Sequence, residues 1–503
     1  MSKSQENDKE ASVQQIPLDE LIAARRAKLE EFRRQGINPY PYRFDRTHLM
    51  GEARRDYDSL AAGEKAVRLA GRILLKRKMG KAIFADIHDM TGKMQVYVKI
   101  NNVGEEAFNM FDKLDLGDIV GVSGTLFTTR TGEMTVMVRD FELLAKSLHP
   151  LPDKHSGLVD KEQRYRRRYV DLIVHPEVRE TFIVRSRIVK SIRDFLDSRD
   201  FIEVETPILQ PIYGGAAARP FETHHNTLDM DLYLRIADEL YLKRLIVGGF
   251  DKVWEYCRDF RNEGMDRMHN PEFSMVELYW AYADYNDIMM LFQDMMRKVT
   301  YDLYGRYKIT YEEHEIDFEP DFKVISMVDA IKERTGLDLL AMDFEEARTK
   351  ATDMDLDVEA ATNWGMVVEA FFEDKIEPHL IQPTFIKDFP LDISPLAKTH
   401  RENPRLTERF EIFIGGSEIG NAFSELNDPD DQKARFAAQS KAREAGDQEA
   451  HQPDEDFLTA LSYGMPPTGG LGFGIDRLVM LLTNNHSIRD VILFPQMRPE
   501  KDE

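Results

Sequence analysis

Four groups of residues have side-chain types and a spacing that could bind charged ligands. The first contains Arg261 and Glu263, which follow the apolar segment 252–260 and precede a turn, with His269 and Phe273 beyond. An arginine at a strand end can bind a phosphate with its planar guanidinium, and a glutamate two residues later projects to the same face. The segment predicts an anion-binding group beside an amine-accepting group. Taken alone, a surface ion pair would give the same pattern.

The second group is the run GFGIDR at 472–477, which precedes the apolar segment 478–482. Glycines at the start of a helix let a ligand approach the backbone, and the amide groups at that end of a helix favour anions. Arg477 would add a second phosphate contact to the one predicted at Arg261. A tight turn with an exposed arginine is the alternative for this run alone.

The third group is a pair of carboxylates, Glu411 and Glu418, on neighbouring apolar segments that flank Gly415 and Gly416. Two carboxylates beside phosphate-binding arginines would repel each other unless a cation lay between them. Oxygen ligands of this kind suit Mg²⁺. The pair therefore predicts a magnesium site, and solvated strand ends are the alternative for either residue alone.

The fourth group consists of Glu239, Glu277, Tyr279 and Glu425, which interrupt segments that are otherwise apolar and that we interpret as strands. Several acids that converge without metal-binding histidines would suit an organic cation, because a buried charge is stable only when it is paired. A solvent-facing position is the alternative for each residue alone.

The elements that must position these residues differ along the chain. Between residues 66 and 145, five short segments alternate apolar and polar residues or are continuously apolar. Five such strands are typical of a small closed barrel of the OB kind. The turn LKRKMGK between the first two strands is basic, and Phe84 follows it. Positive charge and an aromatic ring are what single-stranded RNA binding requires, and a solvated turn with a core phenylalanine is the alternative.

The remaining segments read as mixed antiparallel strands with few crossover helices, which argues against a doubly wound sheet. An acid-rich segment with 20 acidic and 6 basic side chains, at about 312–378, is interpreted as a helical insertion. The sequence predicts a disordered tail at 1–16, a helical segment at 17–65, an OB domain at 66–148, a linker at 149–178 and a catalytic domain at 179–503.

Composition limits the classes of protein that fit. The 503 residues carry a formal net charge of −23, which argues against a general nucleic-acid coat or a membrane-surface protein, because both need basic faces. No apolar run approaches the roughly 18 residues of a membrane helix, and the polar start lacks the apolar core of a leader peptide. The single cysteine, Cys257, excludes an internal disulfide. We expect a cytoplasmic protein that has no membrane partner.

Taken together, these segments resemble the three signature motifs of class II aminoacyl-tRNA synthetases. FIEVETPIL with Pro207 is similar to the first, dimer-forming motif, FRNEG with His269 and Phe273 to the second, and GFGIDR to the third. GGAAARPF, RIADELYLKRL, VELYWAYADY, IGNAFSELNDP and RDVILFP are similar to bacterial-type lysyl-tRNA synthetases. The resemblance runs from about residue 17 to 499. Asp238, Ser417 and Ala422 depart from that pattern, which more often has proline, arginine and glycine there.

The resemblance implies an α+β fold, in which a five-stranded OB barrel precedes a catalytic domain with an antiparallel sheet flanked by helices. It also implies a homodimer with Pro207 in the interface. The activity would be that of a lysine–tRNA ligase, which converts L-lysine and ATP to lysyl-adenylate and pyrophosphate and then transfers lysine to the 3′ end of tRNA(Lys). ATP would be a substrate, and up to three Mg²⁺ ions per subunit would be cofactors.

Carried over by position, the resemblance assigns roles to single residues. Arg261 and Arg477 would be catalytic, because they hold the phosphates at which the reaction occurs. The predicted ATP site comprises Arg261, Glu263, His269, Asn270, Phe273 and Arg477. The predicted lysine site comprises Gly215, Glu239, Glu277, Tyr279, Asn421, Phe423 and Glu425. Glu411 and Glu418 would hold Mg²⁺, and Phe84, Gln95 and Glu133 would read the anticodon.

The acidic pocket is the reason to expect lysine as the substrate. Aspartate would bring a like charge, and a neutral side chain would leave buried carboxylates unpaired at a cost of about 2–5 kcal/mol. Two alternatives remain open. A catalytically silent RNA-binding paralogue should have lost Arg261, Glu411, Glu418 or Arg477, and all four are present. A relative that lysylates a protein should lack the OB domain.

Overall fold

The computed structural model describes residues 17–152, 158–444 and 453–500. The chain divides into two compact units, the first ending at Val159 and the second beginning at Asp160. The predicted disordered tail lies outside the described residues. None of the helices in the described part is long and apolar enough to cross a membrane.

The first unit is built on a closed barrel of five strands, as the sequence predicts. The strand order is β1-β2-β3-β5-β4, and β4 pairs with β1 to close the barrel. Side chains alternate between a buried inner row and a half-exposed outer row, as the two-residue period of a strand requires. The strands are β1 (Ala66–Met79), β2 (Ala82–Asp89), β3 (Gly92–Lys99), β4 (Ile119–Thr128) and β5 (Met134–Ala145).

In the described part of the first unit, three helices precede the barrel strands along the chain and two lie between β3 and β4. The first buries Leu29 and Phe32, in agreement with the helical spacing of the segment. The helices are α1 (Leu18–Arg34), α2 (Met50–Arg55), α3 (Tyr57–Ala62), α4 (Ile100–Val103) and α5 (Glu105–Lys113).

The second unit is organised by an eight-stranded sheet of order β14-β15-β16-β17-β18-β11-β10-β6. The central strands pair antiparallel, as predicted, and only the outermost pairs β14–β15 and β6–β10 are parallel. Its strands are β6 (Ile202–Glu203), β10 (Lys252–Phe260), β11 (Glu272–Ala281), β14 (Lys323–Ser326), β15 (Thr384–Lys387), β16 (Arg409–Ile414), β17 (Ser417–Ser424) and β18 (Thr468–Gly474). Two smaller sheets contain β7 (Leu209–Gln210), β8 (Glu222–His225) and β9 (Met230–Leu234), and β12 (Lys308–Tyr311) and β13 (His314–Asp317).

Helices cover one face of the large sheet and form the main core with it. Phe292 on α10 (Tyr285–Tyr304) lies edge-on to Phe473 of β18, with ring centroids 5.7 Å apart, so this helix packs directly on the central strands. The helices are α6 (Lys161–Arg166), α7 (Arg168–Val174), α8 (Pro176–Asp197), α9 (Glu239–Val247), α10 (Tyr285–Tyr304), α11 (Met327–Thr335), α12 (Phe344–Asp353), α13 (Trp364–Lys375), α14 (Pro429–Glu444), α15 (Glu455–Ser462), α16 (Ile475–Thr483) and α17 (Ile488–Val491).

The segment RIADELYLKRL corrects one prediction. We expected Glu239 to lie on a strand, but β9 ends at Leu234 and Glu239 is the first residue of the helix α9. The local alternation of apolar residues suggested a strand. Glu239, Leu242, Lys243 and Ile246 are buried, and the last three follow Glu239 by three, four and seven residues, which is the spacing of one helix face.

The charged segments also have different boundaries from those predicted. The acid-rich segment at 312–378 is not helical throughout, because it contains β13 and the edge strand β14 before α11–α13. The predicted linker at 149–178 contains α6 and α7 and the first turn of α8, and its residues 153–157 lie outside the described part. A high net charge indicates that a segment is exposed. It does not indicate the secondary structure, because an exposed segment can form short strands as well as helices.

Candidate active site

A cavity of about 400 Å³ in the second unit brings together most of the predicted site residues. Of the fifteen residues predicted for ATP, lysine and magnesium, fourteen line it. The exception is Glu425, which is 1 % exposed and lies directly behind the wall. The fourteen are Gly215, Glu239, Arg261, Glu263, His269, Asn270, Phe273, Glu277, Tyr279, Glu411, Glu418, Asn421, Phe423 and Arg477.

Strand register explains why residues far apart in sequence meet here. Directly paired residues of neighbouring strands project to the same face of a sheet. Gly472 of β18 pairs with Glu277 of β11 on one side and with Asn421 of β17 on the other. Asn421 pairs in turn with Glu411 of β16. One row across four strands therefore carries predicted ligands for both lysine and magnesium.

Strand β18 supplies space in this row, because three successive positions on its pocket face are glycine. Leu471 and Phe473 face the core, and Gly470, Gly472 and Gly474 alternate with them. A Cβ atom on Gly470 would lie 2.0 Å from Glu425 Oε1 and 2.6 Å from the ring of Tyr279. The glycines that we predicted at the start of a helix therefore lie on strand β18, and helix α16 begins after them, at Ile475.

Arg261 lies at the end of β10, where the sequence predicts a phosphate-binding group. Its guanidinium is 5.1 Å from the ring centroid of Phe273, which fixes the arginine against the opposite strand β11. Its buried Nε has no hydrogen-bond partner among the described residues. A buried guanidinium nitrogen without a partner is suited to an incoming anion.

Arg477 links three elements at the same end of the cavity. It donates to Glu418 Oε2 at 3.1 Å and to the Glu418 carbonyl at 2.8 Å, and its Nη2 lies 3.1 Å from His269 Nε2. His269 is oriented by Asp266, whose Oδ2 is 2.8 Å from Nδ1. Two residues of the predicted ATP site, His269 and Arg477, are therefore in direct contact.

Glu411 and Glu418 flank the turn between β16 and β17, as predicted. Burial raises the pKa of Glu411 to about 8, with Arg409 acting in the opposite direction and the like charge of Glu418 raising it further. A cation between the two carboxylates would relieve this repulsion. The oxygen donors and their charge therefore fit Mg²⁺.

The other end of the cavity is acidic and buried. Glu239, Glu277 and Tyr279 are 5 %, 6 % and 3 % exposed, and the Tyr279 hydroxyl donates to Glu277 Oε2 at 3.2 Å. Burial raises the pKa of Glu277 well above its usual range, and Asp238 and other nearby carboxylates raise it further. Such a set of carboxylates is stabilised by cations, as the sequence predicts.

Sequence reasoning missed two cations of the site, Arg409 and Lys243. Arg409 donates to Glu411 Oε1 at 2.6 Å and to Asn421 Oδ1 at 3.1 Å. Lys243 is fully buried and ion-pairs with Glu239 and Glu425. The spacing offered a signal for Arg409, which precedes Glu411 by two residues on one strand. For Lys243 it offered none, because a lysine four residues after a glutamate is common at exposed positions.

Asp238, a departure from the family pattern, belongs to a buried cluster with Cys257 and Asp259. Their ligand atoms lie within 4.8 Å of one another. Arg235 Nε already lies 3.2 Å from Asp259 Oδ1, and burial raises the pKa of the Cys257 thiol well above its usual value. Burial likewise raises the pKa of Asp238, and the negative charge of Asp259 raises it further. Because Arg235 already pairs with Asp259 in this cluster, we do not assign a metal ion to it.

The predicted anticodon residues lie on the outer face of the barrel in the first unit. Phe84 of β2 pairs with Tyr97 of β3, and their ring centroids are 4.6 Å apart. Phe127 extends the row, 6.0 Å from Tyr97. All three rings are half-buried. The sequence predicted one ring, and the fold adds two more that could stack on bases.

Gln95 and Glu133 accompany this row. Gln95 Oε1 accepts from the Thr135 hydroxyl at 2.9 Å, and Glu133 Oε1 lies 3.6 Å from Arg54. Since Gln95 and Tyr97 alternate with buried residues on β3, both project outward on the same side.

The segment around Pro207 in the second unit is apolar and exposed. Ile208 and Leu209 are 44 % and 47 % exposed, and Ile202 is 50 % exposed. Neighbouring large apolar side chains that face solvent are typical of a protein–protein interface.

Comparison with known proteins agrees with this division of the chain. Residues 160–498 match the family described as tRNA synthetases class II (D, K and N), and residues 67–144 match the OB-fold nucleic acid binding domain. The two matched stretches contain the cavity and the barrel, respectively.

Several curated relatives are similar over nearly their full length. The lysine–tRNA ligase of Carboxydothermus hydrogenoformans is 57 % identical, covering 96 % of this chain and 99 % of the relative. That of Pelotomaculum thermopropionicum is 56 % identical, covering 98 % and 97 %. That of Halalkalibacterium halodurans is 55 % identical, covering 96 % and 98 %.

Proposed function

Because the chain belongs to the class II tRNA synthetases of the aspartate, lysine and asparagine group, we propose that it acts as a lysine–tRNA ligase. It would join L-lysine to ATP as lysyl-adenylate, release pyrophosphate, and transfer the lysyl group to tRNA(Lys). The choice of lysine as the amino acid rests on the acidic side chains that line one part of the cavity, while arginines line another part.

The first step needs no protein acid or base, because the lysine carboxylate is already an anion. One carboxylate oxygen attacks the α-phosphorus of ATP, the bond to the β-phosphate oxygen breaks, and pyrophosphate leaves. Catalysis is then positioning and stabilisation of spread negative charge. Arg261 would bind the α-phosphate and the amino-acid carboxylate, since its Nε is buried and free of partners among the described residues.

The adenine ring would stack on Phe273, and Glu263 would accept from its amino group. Arg477 and His269, which are 3.1 Å apart, would hold the β- and γ-phosphates. Glu411 and Glu418 would hold Mg²⁺, which supplies charge neutralisation to the phosphates when bound. Arg409 would orient Glu411, because it donates to that carboxylate from the same strand.

Lysine would be selected by its two ammonium groups. Glu239 and the backbone at Gly215 would take the α-ammonium, and Glu277, Tyr279 and Glu425 would take the ε-ammonium. Buried carboxylates without a cation are unfavourable by a few kcal/mol, so a neutral or acidic side chain would be rejected.

In the second step, a hydroxyl of the terminal ribose of tRNA attacks the lysyl carbonyl and AMP leaves. The barrel would bind the anticodon, with Phe84 stacking on a base and Gln95 and Glu133 contacting base edges. The exposed apolar segment at Pro207 would form the interface of a homodimer. Translation consumes the product, so the proposed compartment is the cytoplasm.

The decisive experiment is ATP–pyrophosphate exchange with each of the twenty amino acids, without tRNA. We expect exchange with L-lysine and at most weak exchange with the others. Exchange that depends on another amino acid would contradict the proposed substrate. No exchange at all would favour a catalytically silent paralogue.

A further inference from the structure

Lys243 occupies an unusual position for a lysine side chain. It lies one helical turn after Glu239 on α9 and is 0 % exposed. Burial of an unpaired ammonium group is strongly unfavourable, so its surroundings must compensate its charge.

Two carboxylates provide that compensation, and both belong to the proposed lysine pocket. Lys243 Nζ lies 2.5 Å from Glu239 Oε1 and ion-pairs with Glu425 Oε2. It is also 5.9 Å from the ring centroid of Phe423, a third pocket residue. Burial by itself lowers the pKa of Lys243, but the two carboxylates outweigh it and the pKa lies above its usual value. The Lys243 side chain therefore supplies a positive charge that belongs to the protein and not to the substrate.

The number of charges at this end of the cavity matches a substrate with two ammonium groups. Glu239, Glu277 and Glu425 supply three negative charges when all are ionised, and Lys243 supplies one positive charge. The remaining two charges equal those of the α- and ε-ammonium groups of lysine. Asp238 is a further buried carboxyl group beside Glu277, and burial raises the pKa of both, so that one negative charge shared between these two groups keeps this balance.

We propose that Lys243 is a positioning residue for substrate recognition: its ammonium bridges Glu239 and Glu425, fixes both carboxylates at the pocket wall, and lets both be ionised when lysine binds. This inference rests on the proposed function and deepens it. Without a cation between them, burial and mutual repulsion would favour the neutral form of one or both carboxylates.

The charges around Glu425 and Glu239 define the expected pH dependence. Burial raises the pKa of Glu425 to about 8, with Lys243 opposing the rise and Glu239 adding to it. For Glu239, burial again raises the pKa, and Lys243 and Arg409 oppose the rise. The titratable or charged groups that face the pair are Lys243 of α9, Glu277 and Tyr279 of β11, Arg409 of β16, and Asp238 before α9. Loss of Lys243 would raise both carboxylate pKa values further.

The test compares the wild type with Lys243→Met, which removes the charge at similar length. The lysine KM in ATP–pyrophosphate exchange is measured from pH 6.5 to 9. In the wild type we expect it to fall as pH rises towards 8. In K243M the midpoint should move up by about one pH unit or more, which raises the lysine KM at pH 7 about tenfold or more. The ATP KM should stay within about threefold.

Two further variants make the test specific. Lys243→Arg keeps a cation and should retain the wild-type midpoint. Lys252→Met is the matched control, because Lys252 donates to the Arg199 carbonyl at 2.8 Å and is not a pocket residue. A purely structural role for Lys243 predicts a lower melting temperature without a change of midpoint, and that outcome would overturn the proposal.

Should K243M fail to fold, E425Q and the double variant K243M/E425Q decide the question. The double variant removes both partners of a buried pair, which is better tolerated than removal of one. We expect its lysine KM to be at least about threefold higher than that of E425Q, because Lys243 also fixes Glu239. A lysine KM equal to that of E425Q would contradict the proposal, since the Lys243–Glu239 contact would then have no role in lysine binding. Absence of lysine-dependent exchange in the wild type would instead overturn the proposed function.

Discussion

At the scale of single residues, this site is defined by which buried charges have partners. Arg477 contacts Glu418 and His269, while Arg261 has a buried nitrogen without a partner among the described residues. The paired groups are held in place before any substrate arrives. The unpaired nitrogen remains available for an anion, and preorganised charge of this kind is the main source of catalysis in phosphoryl-transfer sites.

Glu425→Gln should affect lysine and spare ATP. We expect the lysine KM to rise about 30-fold or more, because a buried carboxylate that pairs with an ammonium is worth about 2–5 kcal/mol. The ATP KM, measured in the same exchange assay, should change less than about threefold. Glu402→Gln, at an exposed position, is the control. Unchanged lysine kinetics in E425Q would refute the pocket assignment.

The same carboxylate should make the stability of the substrate-free protein depend on pH. The pKa of Glu425 is raised to about 8 in the folded state, so folding favours its protonated form. The stabilisation is present at low pH and is lost as pH rises from the unfolded value, about 4.3, to about 8. The loss is about 1.4 kcal/mol per pH unit.

Thermal unfolding from pH 6 to 8.5 measures this dependence. The wild-type melting temperature should fall with pH, and E425Q, which has no titrating group at this position, should show a smaller slope. Addition of L-lysine should stabilise the wild type more at pH 8 than at pH 6, because the ionised carboxylate binds the ammonium. Equal slopes in the two proteins would show that Glu425 does not titrate in this range.

At the scale of elements, strand β18 shapes the cavity because it has no side chains at alternate positions of its pocket face. Its pocket face has glycine at alternate positions, which leaves room between the side chains of β11 and β17. Gly470→Ala would place a Cβ atom 2.0 Å from Glu425 Oε1, so that the carboxylate must move. We expect a lysine KM at least about tenfold higher, because a displaced carboxylate loses its charge-assisted contact. An unchanged lysine KM in G470A would mean that Glu425 is not a ligand.

The barrel is the element to which we assign RNA recognition. Phe84→Ala should raise the KM for tRNA in the aminoacylation assay by about 5- to 100-fold, because base stacking is worth about 1–3 kcal/mol. Tyr42→Ala is the control, since Tyr42 is a fully exposed ring of the same unit. ATP–pyrophosphate exchange should be unaffected in F84A, because that reaction does not use tRNA. Parallel losses in both assays would indicate misfolding.

At the scale of the whole molecule, the exposed apolar segment around Pro207 bears on assembly. The segment is tied to β10, because Thr206 Oγ1 donates to Glu255 Oε2 at 2.7 Å and Arg235 bonds to Thr206. An interface on this segment would therefore stabilise strand β10, which Arg261 directly follows. Dimerisation and activity are expected to be coupled.

Ile208→Asp with Leu209→Asp tests that coupling. Two charges in the proposed apolar interface should convert the proposed homodimer to a monomer in analytical ultracentrifugation and lower exchange activity at least about tenfold. Met290→Asp, at an exposed position on α10, is the control. A wild-type protein that sediments as a monomer with full activity would contradict the proposed assembly.

The sequence by itself determined the chemistry and most of the elements. Arginines, carboxylates and glycines at fixed spacings predicted the phosphate, magnesium and ammonium groups, and alternating apolar residues predicted the five strands of the barrel. These features are local, since they depend on residue type and on the two-residue period of a strand. Glu239 was predicted on a strand because short apolar segments have no unique period, and packing of α9 decided the outcome.

The tertiary structure alone decided which charges meet. Lys243 lies between Glu239 and Glu425, and Gly472 between Glu277 and Asn421, because separate strands and a helix converge at one cavity. Nothing local marks Lys243 as a pocket residue, since a lysine four residues after a glutamate is common on exposed helices. Burial distinguishes the Lys243–Glu239 pair from an exposed one. Desolvation strengthens the effect of the Lys243 charge on the binding of a substrate with two ammonium groups.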